Sequence, residues 1–188
     1  MQTSRAMAAL FPPWTNTATH VALIAIALGL AAAITTPMIA ARTPYATGQG
    51  NPIVQPIAFD HRHHVRDDGI ACLYCHDAAE RSPYAGLPST ERCLGCHAQI
   101  WNDSTQIAPL VASAASGTPI RWRRVTALPD FAYFDHAIHV AKRIDCTACH
   151  GDVAEMAAVY QVAPMTMHWC LDCHRERGAP THCSTCHR

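Results

Sequence analysis

Charge is scarce in this chain and neither sign prevails. Lysine plus arginine number 14, aspartate plus glutamate 14, and charged residues make up 15% of 188. Without a basic excess, a nucleic-acid partner is excluded as the main business of the chain. Equally absent is any cysteine outside one motif. All ten fall in Cys-x-x-Cys-His pentads: Cys72, Cys75 and His76; Cys93, Cys96 and His97; Cys146, Cys149 and His150; Cys170, Cys173 and His174; Cys183, Cys186 and His187. A disulfide framework has no reason to repeat one spacing five times. A zinc ribbon needs no histidine directly after each Cys-x-x-Cys. A thioredoxin-like site has one such unit beside a βαβ pattern. The spacing instead signals covalent c-type haem, with two thiols forming thioethers and the adjacent imidazole reaching the iron.

Five haems also imply a shortage of chain. About 130 residues remain for them after the N-terminal segment, too few for an ordinary apolar core around each. The expected fold is mainly α with much irregular structure, wrapped around five haems, plus one N-terminal transmembrane helix. Each haem adds two propionates, so the balanced sequence becomes an acidic holoprotein unless arginines pair with them.

Val21 to Leu30 is wholly apolar and the run continues to Ala41, interrupted only by Thr35, Thr36 and Pro37. About 20 residues span roughly 30 Å, a bilayer's hydrocarbon thickness. A retained transmembrane helix competes with a cleaved signal peptide. The long leading segment with Pro12 and Pro13 favours retention, as does Ile39 at the first position of the candidate cleavage site Ile39-Ala40-Ala41. Arg5 and Arg42 give little charge asymmetry across the span. Orientation follows from chemistry: c-type haems are attached outside the cytoplasmic membrane. The expectation is a single-pass protein of the bacterial cytoplasmic membrane whose haem domain faces the periplasm. The divisions read as 1–19 cytoplasmic, 20–41 transmembrane, 42–57 linker, 58–130 a dihaem unit with its connecting segment, and 131–188 a trihaem unit. Pro44, Gly48, Gly50 and Pro52 support the linker.

The division into units rests on a repeat. Phe59-Asp60-His61-x-x-His64-Val65 returns as Phe134-Asp135-His136-x-x-His139-Val140. Each copy precedes two pentads, and the fifth pentad follows at once. Two histidines three apart on a helical turn project from one face in slightly different directions. They can therefore reach two neighbouring irons, and His61, His64, His136 and His139 supply four distal ligands. For the fifth, the candidates are Met165, Met167, His168 and His182. His63, where the second copy has Ile138, reads as solvent-facing. Short helices are expected around each pentad and after Asp60 and Asp135, cut short by prolines including Pro109. Arg121-Trp122-Arg123-Arg124 reads as a propionate or partner site, or as a solvated patch. Trp101, Trp122 and Trp169 are expected against haems.

The Phe-x-His-x-x-His element ahead of Cys-x-x-Cys-His resembles the class III multihaem cytochromes. That resemblance implies that His61 serves the haem of His76 and His64 that of His97. It likewise implies His136 for the haem of His150 and His139 for that of His174. In trihaem members a histidine two residues before the second pentad serves the last haem, and His168 stands there. A fuller resemblance, to the pentahaem subunit of alternative complex III, rests on further features. These are the N-terminal helix, five pentads, Ala85-Gly86-Leu87-Pro88-Ser89-Thr90, Leu128-Pro129-Asp130-Phe131 and Met167-x-Trp169-Cys170. That family usually has Gly at the position of His168, which favours Met167 as the fifth distal ligand. It implies an iron–sulfur subunit and multi-span membrane subunits as partners. A monohaem cytochrome c or an oxidase is implied as acceptor.

The expected function is a non-catalytic electron relay from a quinol-oxidising iron–sulfur membrane complex to a periplasmic cytochrome c or terminal oxidase. The alternative is an independent periplasmic shuttle, or the electron-donor subunit of another respiratory reductase. A catalytic multihaem enzyme such as a nitrite reductase needs one iron open to substrate. The ammonia-forming kind typically marks it with Lys in place of the pentad His, and all five pentads here end in His.

Overall fold

The computed structural model describes residues 11–188, so Arg5 and the first ten residues of the expected 1–19 segment lie outside it. The chain divides into two compact units, one ending at Thr47 and the other spanning Gly48–Arg188.

The first unit is α1 (Trp14–Ala40) followed by the single turn α2 (Pro44–Thr47). At 27 residues α1 is long and apolar enough to cross a membrane. It starts before the expected residue 20 because its polar first turns bond to their own backbone. Thr19 Oγ1 donates to the Thr15 carbonyl at 2.8 Å and His20 Nδ1 to that of Asn16 at 2.7 Å. Pro37 lies inside the helix without ending it, although it removes one backbone donor.

In the second unit the described residues contain helical turns and irregular chain but no strand. The order is a π-helical turn (Arg62–Asp67), α3 (Cys72–Cys75), a 3-10 turn (Asp77–Glu80), α4 (Thr90–His97) and α5 (Ala108–Ser116). Then follow α6 (His136–Ala141), α7 (Thr147–His150), a 3-10 turn (Val153–Glu155), α8 (Met167–Glu176) and α9 (Cys183–Cys186). Each Cys-x-x-Cys therefore lies on or at the edge of a helical turn, where residues three apart present their thiols to one side. Polar caps set several starts: Ser89 accepts from the Arg92 N–H, Thr166 from Trp169 and Asp135 from Ala137.

Two readings of the connecting chain change. Pro109 does not cut a helix short. It sits at the start of α5, where a proline's missing N–H costs no intrahelical bond. The stretch read as linker up to residue 57 belongs, from Gly48, to the second unit. Gly50 N–H donates to the Gln161 carbonyl (2.9 Å), Ile53 N–H to that of Val159 (3.3 Å) and Gln49 Nε2 to that of Val162 (2.6 Å). Such pairing is between distant residues and leaves no local periodicity to read.

The two repeats interlock. The π-helical turn of the first packs on Val153–Glu155 of the second, and α6 of the second packs on Asp77–Glu80 of the first. Arg66 bridges the former contact to Glu155 at 2.9 Å. Apolar side chains contribute little interior: among the described residues, Ala79, Ile107, Leu110, Met156 and Ala163 are the buried ones. Most of these belong to α5 or to the segments following α3 and α7. This is the thin core expected of a chain wrapped on prosthetic groups.

Candidate functional site

The repeat seen in sequence is a repeat in three dimensions. Phe59 stacks on His64 with ring centres 4.3 Å apart, and Phe134 on His139 at 4.4 Å. Phe59 meets His61 edge-on at 4.7 Å, and Phe134 meets His136 the same way at 4.8 Å. His64 Nδ1 donates to the Asp60 carbonyl at 2.9 Å, and His139 Nδ1 to that of Asp135 at 2.7 Å. The copies differ in the turn itself, π-helical in the first and α-helical in the second.

These histidines face the pentads. Ring centres of His64 and His97 are 6.1 Å apart, those of His136 and His150 6.4 Å, and those of His139 and His174 6.1 Å. A coordinating imidazole nitrogen lies about 2 Å from its metal, so two rings on opposite sides of one iron have centres about 6 Å apart. The residues therefore fit axial ligation of haem iron. His76 stands close enough to His61 to oppose its protonation. Burial, followed by His76 and His64, lowers the His61 pKa to about 4. Burial and then His136 and His76 push His150 down in the same way. Neutral imidazole is the form that ligates. Among the described residues no three His, Cys, Asp or Glu side chains converge as a bare metal ion would need.

Backbone carbonyls set the tautomer. His76 Nδ1 donates to Gly86 O (2.9 Å), His97 to Ile100 O (3.3 Å) and His136 to Pro83 O (2.7 Å). His174 donates to Pro180 O (2.7 Å) and His187 to Phe131 O (3.0 Å). Each bond leaves Nε2 free for a metal and holds the ring's orientation. Sequence reasoning missed these acceptors, because a carbonyl has no side-chain signature. The buried His61 Nδ1 has no such partner.

Thiols of different pentads adjoin one another. Burial, more than any neighbour, pushes up the Cys75, Cys93, Cys146, Cys149 and Cys170 thiols. Smaller contributions come from nearby thiols: Cys96 acts on Cys75, Cys75 on Cys93 and Cys72 on Cys146. Cys173 acts on Cys149, and Cys186 on Cys170.

The fifth distal candidates are placed differently. Met167 opens α8 and is 65% exposed. The His168 side chain is 83% exposed, with Nε2 3.2 Å from the Asp172 carboxylate. Met165 is half-buried with φ of 51°, and His182 precedes α9 on the surface. His63 is exposed beside Asp67 and Asp68. Trp101 lies 6.4 Å from the His97 ring. Arg121, Arg123 and Arg124 are exposed.

Pentads with imidazoles poised at haem-ligating separations define a c-type haem protein. Residues 132–188 match the family of cytochrome c7 and related cytochrome c. The chain is also 31% identical over 161 residues to the menaquinone reductase multihaem cytochrome c subunit of Nitratidesulfovibrio vulgaris. That match covers 71% of this chain and 77% of the relative. The chain belongs to the multihaem cytochrome c family, whose work is electron transfer.

Proposed function

We propose that this chain binds five c-type haems and serves as the non-catalytic electron-relay subunit of a membrane quinol-oxidising complex resembling alternative complex III. Each haem, when bound, supplies a one-electron Fe(III)/Fe(II) couple. The carrying observation is the facing of His64, His136 and His139 onto pentad histidines at 6.1 to 6.4 Å.

In this reading Cys72, Cys75, Cys93, Cys96, Cys146, Cys149, Cys170, Cys173, Cys183 and Cys186 make the thioethers. His76, His97, His150, His174 and His187 are proximal ligands, and His61, His64, His136 and His139 are distal. Met167 completes the fifth site, giving it a higher potential than the bis-histidine sites. Two axial side chains per iron leave no position for substrate, which separates a relay from a reductase. Helix α1 anchors the chain, and residues 48–188 face the periplasm, where c-type haem is attached. An iron–sulfur subunit and multi-span subunits are the partners, and a monohaem cytochrome c or an oxidase is the acceptor.

The relative, a menaquinone reductase subunit, favours a second reading in which electrons run towards quinone. Intact-mass analysis followed by mild detergent purification of the tagged protein tests both. The expected result is five haem masses on the polypeptide and co-purification of iron–sulfur and multi-span subunits with quinol:cytochrome c activity. Quinone reduction by a reduced periplasmic cytochrome, without the forward activity, selects the second reading. A protein isolated alone, water-soluble and lacking residues 1–41, is a free shuttle and refutes both.

A further inference from the structure

Resting on the five-haem reading above, we infer that the pentads hold their haems in one unbranched file whose spatial order is second, first, third, fourth, fifth. The file ends at Cys93–His97 and at Cys183–His187, and its middle is the junction between the repeats.

Each step of the order stands on a contact. The second and first pentads adjoin where Arg92, next to Cys93, lies 5.0 Å over the Tyr74 ring and donates to the Asp77 carboxylate at 3.3 Å, and Cys75 neighbours both Cys93 and Cys96 there. The first and third meet at the docking of the two repeats, where Cys72 neighbours Cys146 and His76 neighbours His150. Helix α6, which carries the ring facing His150, packs on the turn Asp77–Glu80 directly after the first pentad. His136 Nδ1 and N–H both donate to the Pro83 carbonyl there, at 2.7 and 3.3 Å. The third and fourth adjoin because α6 carries both His136, which faces His150, and His139, which faces His174, and Cys149 neighbours Cys173 and Cys170 there. The fourth and fifth are joined by a short link whose Pro180 carbonyl accepts from His174 Nδ1 at 2.7 Å, and Cys186 neighbours Cys170. Tyr133 N–H donates to the Cys186 carbonyl at 2.6 Å, folding the last pentad back towards the start of the second repeat.

The departure from chain order has a structural cause. Each repeat docks its histidine-bearing turn on the turn that follows the leading pentad of the other. Reciprocal docking brings the two leading pentads together and turns the second pentad of each repeat outward. A sequential file would require Cys93–His97 to adjoin Cys146–His150 instead. The second and fifth sites are then the ends at which a donor and an acceptor have to meet the chain.

Low-temperature EPR of the purified holoprotein tests the order. Removing a distal imidazole leaves a five-coordinate or water-ligated ferric haem of high spin, and this speeds spin relaxation of its immediate neighbours. His61→Ala is expected to raise several-fold the microwave power that saturates the signal of the third site. His64→Ala is expected to leave that signal unchanged. The reverse pattern, or equal effects from both variants, overturns the order. Should either variant fail to assemble, the wild-type holoprotein structure decides. Its His76-ligated iron should have the His97 and His150 irons as nearest neighbours, and adjacent His97 and His150 irons overturn the order. Neither measurement involves partner subunits, so a protein that co-purifies with nothing still reports its haem order. A haem mass short of five shows that the underlying reading has failed instead.

Discussion

Gly151 directly follows His150, caps the turn of the third pentad and lies against Val162. Its φ and ψ are 67° and −167°, a region open essentially to glycine alone and costing another residue about 1–3 kcal/mol. A Cβ there would stand 2.8 Å from Val162 Cγ2, 3.2 Å from Cγ1 and 3.3 Å from Cβ. Relief is restricted, because the Val162 carbonyl accepts from Gln49 and the neighbouring Gln161 carbonyl from Gly50. Forcing a methyl into such contact adds about 1–3 kcal/mol, so Gly151→Ala should cost about 4 kcal/mol in total. Gly178 supplies the control. It also has positive φ (63°), but nothing lies within 4 Å of an added Cβ, so Gly178→Ala should cost only about 1–2 kcal/mol. Urea unfolding of the holoprotein, followed by loss of the low-spin haem spectrum, measures both. Adding Val162→Ala to Gly151→Ala should recover the contact part and leave the backbone part. Equal costs for the two glycines, or no recovery in the double variant, would refute the reasoning.

Other outcomes follow from the same geometry. His136 and His150 rings are nearly parallel (7°), whereas His64 and His97 are inclined at 62°. Because parallel axial imidazoles separate the iron d-orbitals more than crossed ones, ferric EPR should show a rhombic signal lost in His136→Ala and a large-gmax signal lost in His64→Ala. Loss of the opposite signals would reverse the pairing. Met167→Ala should lower the potential of one haem in a redox titration, and His168→Ala should lower none. If His168→Ala has that effect, His168 is the fifth ligand. The holoprotein should remain low-spin and spectrally unchanged under carbon monoxide, and a substantial shift would reveal an open iron. Arg66 and Glu155 are both about half exposed, so Glu155→Gln should change stability by less than about 1 kcal/mol in urea unfolding.

The sequence alone pointed to c-type haem. Five pentads exhausted the cysteines, and the repeated Phe-Asp-His-x-x-His pointed to histidine-bearing turns, because thioether spacing and helical periodicity are local properties. The apolar run of α1 was legible for the same reason. His64 faces His97, His136 faces His150 and His139 faces His174, a matching of ring to ring that spacing alone does not fix. Tertiary structure decided what depends on distant chain. The Pro83, Gly86 and Phe131 carbonyls hold imidazoles in one tautomer, yet a backbone oxygen leaves no mark in sequence. The placement of Gln49–Ile53 in the second unit rests on hydrogen bonds to residues more than a hundred positions away. Pro109 lies in the first turn of α5 and does not break it, because a proline's effect depends on which turn it occupies. The meeting of the first and third pentads arises only when the two repeats dock, a long-range packing event that no local pattern encodes.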